Sequence, residues 1–408
     1  MGKKVLILGN GFDLAHDLPT LYNNFLDFCE RICKIYTNDF LVSLNEYICS
    51  DLVNWKINDC VKNELIKSYK NRVYETVNTG TVSYIKDIKT SNKDFDKLYS
   101  YIKANIWYNY FSNNILYNCF EKNWIDFELE IKLCIKYIDE HSKYLSRSVK
   151  DLFESCTFIG DEDNAKLRYS AFKSAVLKNS ENVNDVFGLR KVLYEDLEDI
   201  TKALEIYLNL VETNKITQQY KDIADLNPDY IINFNYTHTY KNVYDTPAEI
   251  FYIHGEIDHD PNNMVLGIDE YWSEKERDSN TNFTIFKKFA QRIQKRTGIE
   301  NYKWFNIIKS DYEKNNKAAE VFIFGHSLDI TDKDILYDYL ESEATLVTIY
   351  CKDKETEGKY IANVIKIIGE KRLLEKINQD PPKIKFVIQQ PMIPIVKKEE
   401  LLTSGAVT

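Results

Sequence analysis

The residues of this sequence that could do chemistry follow directly after short apolar runs. They combine glycine, which lets a ligand or another backbone approach closely, with side chains that exchange protons or orient water. His254 could accept a proton near neutral pH, and Asn235 could orient a water molecule or a sugar hydroxyl. In chain order these segments are Gly9-Asn10-Gly11-Phe12-Asp13, Asn235-Tyr236-Thr237-His238, His254-Gly255-Glu256, Gly267-Ile268-Asp269 and Gly325-His326-Ser327-Leu328-Asp329.

The first of these segments is typical of a phosphate or dinucleotide site. An apolar run ends at Gly9 and Gly11, and a helix that follows such a turn points its free backbone N–H groups at an anion. The dinucleotide fingerprint asks for a third glycine three residues after the second, where this chain has Leu14. A tight turn in an α/β sheet would explain the same two glycines, so both interpretations stay open.

The other segments also have structural interpretations. His254 could be a core or turn histidine, and Asn235 could cap or turn the backbone. Asp332 could cap the helix that follows Gly325 and Ser327. Taken together these interpretations lose weight, because open α/β sheets bind ligands beyond the carboxyl ends of their strands. Several polar strand ends therefore predict a ligand site at one edge of a sheet.

Composition is that of a globular protein and argues against several partners. The 408 residues are 44% hydrophobic and 28% charged, and no apolar run reaches the roughly 18 to 20 residues that span a bilayer. The first strand begins at residue 4, which leaves no room for a signal peptide, so we expect a cytoplasmic protein without a membrane partner. The net charge of -10 argues against nucleic acid as the main partner.

Cysteines and histidines predict neither a disulfide framework nor a metal site. The eight cysteines are scattered along the chain without a C-x-x-C pair. His16, His238, His259 and His326 have no metal-ligand spacing with nearby cysteines or carboxylates. We therefore predict that the protein binds no metal.

Helical periodicity dominates the first half of the chain. Apolar residues fall at helical spacing over 127–138 and 189–211, so we predict an almost wholly helical insertion at 40–220. Residues 79–95 form the expected loop within it. The basic stretch KKFAQRIQKR at 287–296 is interpreted as the solvated face of another helix.

From residue 227 short β-branched and aromatic runs replace this pattern. Apolar runs separated by helical segments are typical of strands buried on both faces, so they predict a mostly parallel, Rossmann-like α/β sheet between layers of helices. We expect a discontinuous α/β domain at 1–39 and 221–391, followed by a tail at 392–408. Besides the opening strand, the predicted strands are 230–234, 249–255, 264–268, 320–325, 345–351 and 384–390.

Six segments, taken in order, closely resemble the AbiH family of bacteriophage abortive-infection proteins. They are spread over residues 5–336, and the set is specific although each member is short. The resemblance implies a role in defence against phage, with a phage-derived trigger and a homo-oligomer as the partners to look for. The segments are ILGNGFDLAHDLPTLYNNF, NWIDFE (123–128), NFNYT, IHGEID, VLGID and FGHSLDITDKDIL.

A more distant resemblance links the chain to sirtuins and to sirtuin-like NAD-cleaving domains. These proteins share a glycine-rich opening with a following proline, an asparagine loop, a histidine-glycine pair and a glycine-x-serine turn. The resemblance implies a pocket for NAD and a sirtuin-like form of the sheet. The matching positions are Gly9, Gly11 and Pro19 in the opening, Asn235 in the loop, His254-Gly255 in the pair, and Gly325 with Ser327 in the turn.

Three departures limit this second resemblance. Thr237 stands where sirtuins have an acid, Tyr22 and Phe25 stand where an arginine is expected, and the four zinc cysteines are absent. Protein deacylation is therefore not expected, whereas hydrolysis of NAD itself needs no zinc module. The resemblance implies catalytic roles for Asn235 and His254 and cofactor-binding roles for Gly9, Asn10, Gly11, Phe12, Asp13, Pro19, Thr237, Gly255, Gly325, His326 and Ser327.

Two functions follow from these resemblances. The first is an NAD glycohydrolase that depletes the cofactor on infection, and the alternative is a non-catalytic nucleotide-binding sensor that signals to a partner. Thr237 favours the sensor, whereas the presence of both Asn235 and His254 favours the enzyme. Asp126 and Glu128 are further candidates for a carboxylate near the ribose, although Asp126 also has the spacing of a helix cap.

Overall fold

The computed structural model divides the chain into two compact units. Unit 1 comprises Met1–Leu18, Asn214–Ile257 and Arg296–Thr408, and unit 2 comprises Pro19–Thr213 and Asp258–Lys295. The domain division expected from the sequence stays a prediction. The residues that the structure describes are 2–36, 59, 62–67, 92–113, 126–142, 148–160, 164–179, 183–244, 247–269, 282–298 and 300–395.

Eight strands occur among the described residues, and all of them lie in unit 1. Most are rich in valine, isoleucine and phenylalanine, whose branched or aromatic side chains suit a buried pleated surface. Their bounds are β1 (Lys4–Leu8), β2 (Gln218–Tyr220), β3 (Tyr230–Asn233), β4 (Glu249–Tyr252), β5 (Ala319–Phe324), β6 (Thr345–Cys351), β7 (Ile384–Ile388) and β8 (Met392–Pro394).

Six of these strands form one sheet in the order β4-β3-β1-β5-β6-β7, and every pairing in it is parallel. From β1 the chain fills one side of the sheet with β3 and β4, and it then fills the other side from β5 onwards. The remaining two strands, β2 and β8, form a separate antiparallel pair. The parallel α/β sheet expected from the sequence is thus confirmed.

Alternate residues of β1 pack into two hydrophobic clusters. Val5 and Ile7 belong to one cluster, and Leu6 and Leu8 belong to the other. None of these four side chains is exposed to solvent. Because a strand of a parallel sheet is buried on both faces, it is apolar throughout rather than at alternate positions.

Helices flank the sheet of unit 1. The helix Lys333–Glu341, for example, buries Ile335, Leu336 and Tyr339 in the same cluster as Val5. The spacing of these residues places them on one helix face, which is the face turned to the core. The helices of unit 1 are Asn10–Ala15, Lys221–Ala224, Thr239–Val243, Glu300–Asn315, Lys333–Glu341, Lys354–Ile368 and Glu370–Ile377, with a 3-10 turn at Ile330–Asp332.

The described part of unit 2 is helical. Its longest helix, Val186–Glu212, begins at an Asp185 cap and buries Leu189, Leu193 and Leu197 at helical spacing, as the sequence predicts. Among the helices that the structure describes, none combines the length and apolarity needed to span a bilayer. The helices of unit 2 are Tyr22–Tyr36, Lys93–Ile102, Ile106–Phe111, Phe127–His141, Val149–Ser155, Ala165–Asn179, Val186–Glu212 and Lys288–Lys295, with a 3-10 turn at Thr284–Phe286.

The apolar run at 264–268, predicted to be a strand, is not part of the sheet. It lies in unit 2, where Met264 and Leu266 are buried. Lys295 donates to the Met264 carbonyl at 2.6 Å, and Gln291 donates to the Leu266 carbonyl at 3.1 Å. The strand prediction is wrong because side-chain donors bind carbonyl groups of the run, and its described backbone pairing is a single bridge between Ile268 and Lys287. Apolar periodicity does not show this difference.

The basic stretch at 287–296 is not a solvated helix face. Lys288 and Arg292 are 4% and 5% exposed, whereas the apolar Ile293 is 71% exposed. The Lys288 ammonium lies 2.7 Å from Oε2 of Glu128, which compensates its buried charge. The interpretation is wrong because a charge run in a sequence does not show which cations will meet a buried carboxylate.

Two predicted irregular segments differ at their ends from what the structure describes. The loop predicted at 79–95 lies outside the described residues up to 91, and its last three residues already belong to the helix Lys93–Ile102. Asn92 starts that helix by accepting two backbone N–H groups. The tail predicted from residue 392 begins with β8, and its residues from 396 onwards lie outside the described part.

Candidate active site

Three of the five polar segments meet directly at the carboxyl edge of the sheet in unit 1. The Asn235 amide donates to the Gly9 carbonyl at 3.1 Å, which ties the segment after β3 to the segment after β1. The Gly11 N–H donates to the Gly325 carbonyl at 2.7 Å, which adds the segment after β5. The sheet thus brings together residues that are more than 300 positions apart in the chain.

This edge includes the point at which the strand order reverses. The strand β1 pairs with β3 on one side and with β5 on the other. In open α/β sheets, ligands bind in the crevice outside the carboxyl ends of the strands at such a point. The polar segments after β1 and β5 therefore lie where a doubly wound sheet offers a ligand site.

Glycine is required where the loops after β1 and β5 pack backbone against backbone. A Cβ atom on Gly325 would lie 2.2 Å from the Phe12 nitrogen, and one on Gly9 would lie 2.5 Å from the His326 Cα. Gly325 also has a φ of +68°, in the left-handed region that disfavours side chains. These contacts explain the glycines of both loops without any ligand.

The same packing uses backbone N–H groups that a diphosphate would need. The Gly9 N–H donates to the Phe324 carbonyl at 3.2 Å, and the Gly11 N–H donates to the Gly325 carbonyl at 2.7 Å. The expectation that these two amides would hold a diphosphate does not fit this conformation, because both already donate within unit 1. The geometry agrees with the tight-turn interpretation of Gly9 and Gly11.

A buried carboxylate lies among the hydroxyls that follow Asn235. The Thr237 hydroxyl donates to Oδ2 of Asp13 at 2.6 Å and lies 3.0 Å from the Thr239 hydroxyl. Asp13 and Thr237 are each 1% exposed, and Asn235 is 6% exposed. The segments after β1 and β3 therefore share a polar cluster that is closed to bulk water.

Two histidines from different segments face one carboxylate. Asp332 places Oδ1 3.3 Å from Nε2 of His254 and Oδ2 3.6 Å from Nε2 of His326. The Phe234 ring stands edge-on to both imidazoles, with centroids 5.4 Å and 4.3 Å away. This cluster brings the segment after β4 to the same edge, so four of the five polar segments meet there. It offers a base whose orientation is set by a neighbouring acid.

Asp332 is a candidate functional residue. Its contact with the two histidines was not predicted from the sequence. It occupies the N-cap position of the helix Lys333–Glu341, as the sequence predicts, but its side chain makes no capping hydrogen bond. Because helix capping already explained Asp332, no second role was predicted for it. Its closeness in sequence to Gly325 and His326, at the end of the same strand, is the signal that could have revealed it.

A second histidine–carboxylate pair lies on the segments after β3 and β4. Nε2 of His238 is 3.0 Å from Oε2 of Glu256, and the two side chains are 19% and 32% exposed. This pair is more accessible than the cluster around Asp332. Among the described residues, no group of three or more histidine, cysteine or acidic side chains could hold a metal ion.

Comparison with protein families gives the site its context. The family model for bacteriophage abortive infection AbiH matches residues 5–350. The chain belongs to the AbiH family. No curated protein and no solved structure matches it. The AbiH resemblance seen in the sequence is confirmed, and the matched range includes the four polar segments of unit 1. The similarity to sirtuins stays a prediction.

In this AbiH chain, three more of the predicted cofactor-binding residues lie in the segments after β1, β4 and β5. Asn10 and Ser327 are exposed. The Ser327 carbonyl accepts a hydrogen bond from the Asn363 amide at 2.9 Å. Gly255 makes a turn with a φ of +78°, in which its N–H donates to the Tyr252 carbonyl. Asn10 and Ser327 are thus polar groups that a ligand could reach.

Phe12 and Pro19 have other surroundings. The Phe12 ring lies in the hydrophobic core, 4.5 Å between centroids from the His16 imidazole, so its side chain supports packing rather than ligand contact. Pro19 belongs to unit 2, where its carbonyl accepts a hydrogen bond from the Tyr207 hydroxyl at 2.7 Å.

The acidic candidates of unit 2 are held by structural contacts in this AbiH chain. Asp126 accepts a backbone N–H from the first turn of its helix at 3.1 Å, which is the helix-cap interpretation. Glu128 is paired with Lys288. Asp269, which ends the fifth polar segment, is paired with Lys132 at 2.9 Å. These carboxylates have structural partners within their own unit.

Proposed function

We propose that this AbiH protein is an abortive-infection effector that binds NAD or a related nucleotide in unit 1 and hydrolyses it during phage infection. The observation that carries the proposal is the meeting of Asn235 with Gly9 at the carboxyl edge of β1 and β3, where open α/β sheets bind nucleotides. Depletion of NAD would deprive the infected cell of a cofactor on which phage growth depends.

Hydrolysis breaks the bond between nicotinamide and ribose, so positive charge develops on the sugar while neutral nicotinamide leaves. Asn235 would orient the attacking water or the ribose hydroxyls, because its amide both donates and accepts hydrogen bonds. His254 would accept a proton from that water or hydroxyl. A carboxylate near the sugar would stabilise the developing charge, as in glycoside hydrolysis.

Asp13 supports the last of these roles. Thr237 stands where the sirtuin-like pattern has an acid, yet its hydroxyl donates to Oδ2 of Asp13 at 2.6 Å. The segment after β1 thus supplies a carboxylate beside the position at which the acid is missing. We assign Asp13 to stabilisation of the positive charge on the ribose.

The diphosphate of NAD needs partners other than the amides of Gly9 and Gly11, which already donate within unit 1. Asn10 and Ser327 are exposed polar residues of the loops after β1 and β5. We propose that these two side chains bind the diphosphate through hydrogen bonds. Binding there would leave the close packing of the glycines intact.

A non-catalytic nucleotide sensor is the second candidate, and the burial of His254 and Asn235 is compatible with it. His254 is 5% exposed and Asn235 is 6% exposed, so a substrate has little access to either side chain in this conformation. A sensor would bind the nucleotide at the exposed loop residues and pass a conformational change to a partner without breaking a bond. A hydrolase held inactive until a phage trigger arrives would show the same burial.

Release of nicotinamide from NAD separates the two candidates. The purified protein would be assayed beside Asn235→Ala and His254→Ala, with Asn378→Ala and His259→Ala as matched controls at exposed positions. Release that only the first two substitutions abolish supports the hydrolase. Saturable binding of NAD without release supports the sensor.

The same variants would be compared in infected cells, because a toxic hydrolase must stay inactive until it is triggered. We expect NAD to fall after phage entry in cells with the wild type and with both control variants, but not with Asn235→Ala or His254→Ala. Unchanged NAD in wild-type cells that block a phage infection would rule out the hydrolase.

A further inference from the structure

The surroundings of His326 determine which of its two ring nitrogens carries the proton. Nδ1 lies 2.9 Å from the backbone nitrogen of Leu328, whose N–H can only donate. Nδ1 therefore carries no proton, and the proton of the neutral ring is on Nε2. That nitrogen faces Oδ2 of Asp332 at 3.6 Å, which is too long for a hydrogen bond but close enough for electrostatic attraction.

A second proton on His326 would disturb the turn that holds the ring. It would replace the hydrogen bond from Leu328, a leucine at φ +58° whose left-handed backbone depends on such support. The Phe234 ring also packs edge-on against this imidazole. His326 is thus a fixed acceptor within its own loop rather than an exchangeable base.

His254 presents Nε2 to the same carboxylate. This nitrogen lies 3.3 Å from Oδ1 of Asp332, and a carboxylate oxygen accepts hydrogen bonds. In the neutral ring Nε2 then carries the proton and Nδ1 carries the lone pair. Protonation at Nδ1 would give an imidazolium whose Nε2–H still points at Asp332.

We infer that Asp332 is a positioning residue that holds the proton of His254 on Nε2, so that Nδ1 is the atom that accepts a proton in the reaction. His326 keeps the loop in place and exchanges no proton. The assignment of the two tautomers stands on the geometry alone, whereas its catalytic consequence rests on the proposed hydrolysis of NAD.

Nitrogen NMR tests the tautomers without any substrate. Histidine-selective 15N labelling gives few signals because the chain has only six histidines, and His254→Gln and His326→Gln assign the two of interest. Long-range proton–nitrogen spectra distinguish a protonated ring nitrogen from one that carries a lone pair. At alkaline pH both His254 and His326 should show the Nε2–H tautomer in the wild type.

Substitution of Asp332 should affect the two histidines differently. In Asp332→Ala, His254 should become a mixture of tautomers, whereas His326 should keep Nε2–H because Leu328 still donates to its Nδ1. In Asp332→Asn, the amide oxygen should face the Nε2–H of His326 and the NH2 group should face His254, which moves the His254 proton to Nδ1. This isosteric variant carries the test if the alanine variant does not fold. A His254 that keeps Nε2–H in both variants, or that carries Nδ1–H in the wild type, would overturn the inference.

The catalytic consequence has its own readout. Asp332→Asn should lower kcat for nicotinamide release by about 10²- to 10⁴-fold with little change in KM, because a proton on Nδ1 blocks the base. Asp353→Asn, at which an amide oxygen can still accept the Thr356 N–H, is the matched control and should keep the wild-type kcat. An unchanged kcat in Asp332→Asn would reject the positioning role. Correct tautomers in a protein whose wild type leaves NAD unchanged in infected cells would reject the hydrolase and leave Asp332 as a positioning residue.

Discussion

Two buried cations of unit 2 each lie beside a carboxylate of their own, whereas two buried histidines of unit 1 share one. Lys288 lies 2.7 Å from Glu128, and Arg168 lies 3.0 Å from Glu130. In unit 1 both imidazoles face Asp332. A one-to-one ion pair keeps both charges, but a histidine can gain and lose a proton near neutral pH. The difference indicates that the buried charges of unit 2 hold the fold and those of unit 1 can do chemistry.

The two units also differ in how their polar segments are held. In unit 1 the loops after β1 and β5 approach so closely that their glycines admit no Cβ atom. In unit 2 the segment that ends at Asp269 is held by side chains, among them Lys132 and Gln291, as well as by close backbone packing of Gly267 against Phe286. We therefore expect the strand-end loops of unit 1 to be sensitive to added atoms and the ion pairs of unit 2 to be sensitive to removed ones.

Gly325→Ala should have the largest effect on stability. Its Cβ would lie 2.2 Å from the Phe12 nitrogen, in a residue with positive φ, so we expect a loss of about 4 kcal/mol or a failure to fold. Gly358→Ala is the matched control, because a Cβ there would meet nothing within 4 Å in the helix Lys354–Ile368. That variant should gain about 0.5–1 kcal/mol in urea unfolding. Equal stability of both variants would contradict the close packing of the loops.

Arg168→Met should destabilise unit 2 by about 3–5 kcal/mol, because it leaves the Glu130 carboxyl buried without its cation. Burial raises the pKa of Glu130, and the Tyr110 hydroxyl and Arg168 oppose that rise. Adding Glu130→Gln should recover part of the loss. Urea unfolding of Arg168→Met, Glu130→Gln and the double variant measures the coupling energy between the two residues. A loss below about 1 kcal/mol for Arg168→Met would contradict the claim that the buried charges of unit 2 hold its fold.

Asn235→Ala should cost about 1 kcal/mol, because the buried Gly9 carbonyl loses the Asn235 amide as a donor and keeps the Phe12 N–H. Asn105 is the matched asparagine of unit 2: it is 1% exposed, and its amide donates to the Asp196 carbonyl at 2.6 Å. Asn105→Ala should cost more in urea unfolding, because Asn105 also caps the helix Ile106–Phe111 by accepting the Tyr108 N–H. Calorimetric titration with NAD should then separate the two, since only Asn235→Ala is expected to lose binding. Equal loss of binding in both variants would mean that the effect is structural.

Acidification should change the stability of the two units in opposite directions. Burial lowers the pKa of His16 below its ordinary 6.5, so the contribution of the neutral ring is lost as the pH falls below that value. Burial raises the pKa of Asp196 from 3.8 to about 6, so the folded protein binds this proton more tightly and gains stability as the pH falls through 6. We expect Asp196 to contribute about 1 kcal/mol between pH 7 and pH 5, and His16 to contribute in the opposite direction.

Hydrogen exchange followed by mass spectrometry can measure both effects, because it reports on peptides of each unit separately. The comparison would include His16→Gln and Asp196→Asn at both pH values, with correction for the intrinsic exchange rate. Each substitution should remove the pH response of its own unit and leave that of the other unit. A response of unit 1 that survives His16→Gln would show that another group titrates there.

The sheet and its polar edge could be predicted from the sequence because their signals are local. Each strand of the sheet is a short apolar run, and parallel strands place the residues that follow them at one edge. The sequence predicted that Asn235 and His254 lie at the same sheet edge as Gly9 and Gly325, and the contacts in unit 1 show that they do.

The remaining features depend on partners that no local pattern specifies. The run at 264–268 has the composition of a strand, but Gln291 and Lys295 satisfy its carbonyl groups. Lys288 lies in a basic stretch that is typical of a solvated helix face, but its ammonium forms an ion pair with Glu128. Asp332 has the position of a cap, but its carboxylate faces two histidines. In each case a long-range contact overrides the local signal.

The central claim is that the strand ends of unit 1 bind NAD, and a crystal structure of the His254→Ala protein soaked with NAD tests it most directly. We expect an intact dinucleotide outside the carboxyl ends of β1 and β5, with the nicotinamide ribose within hydrogen-bonding distance of Asn235. A dinucleotide bound elsewhere, or a crevice that stays empty at a concentration that saturates the protein in solution, would contradict the claim.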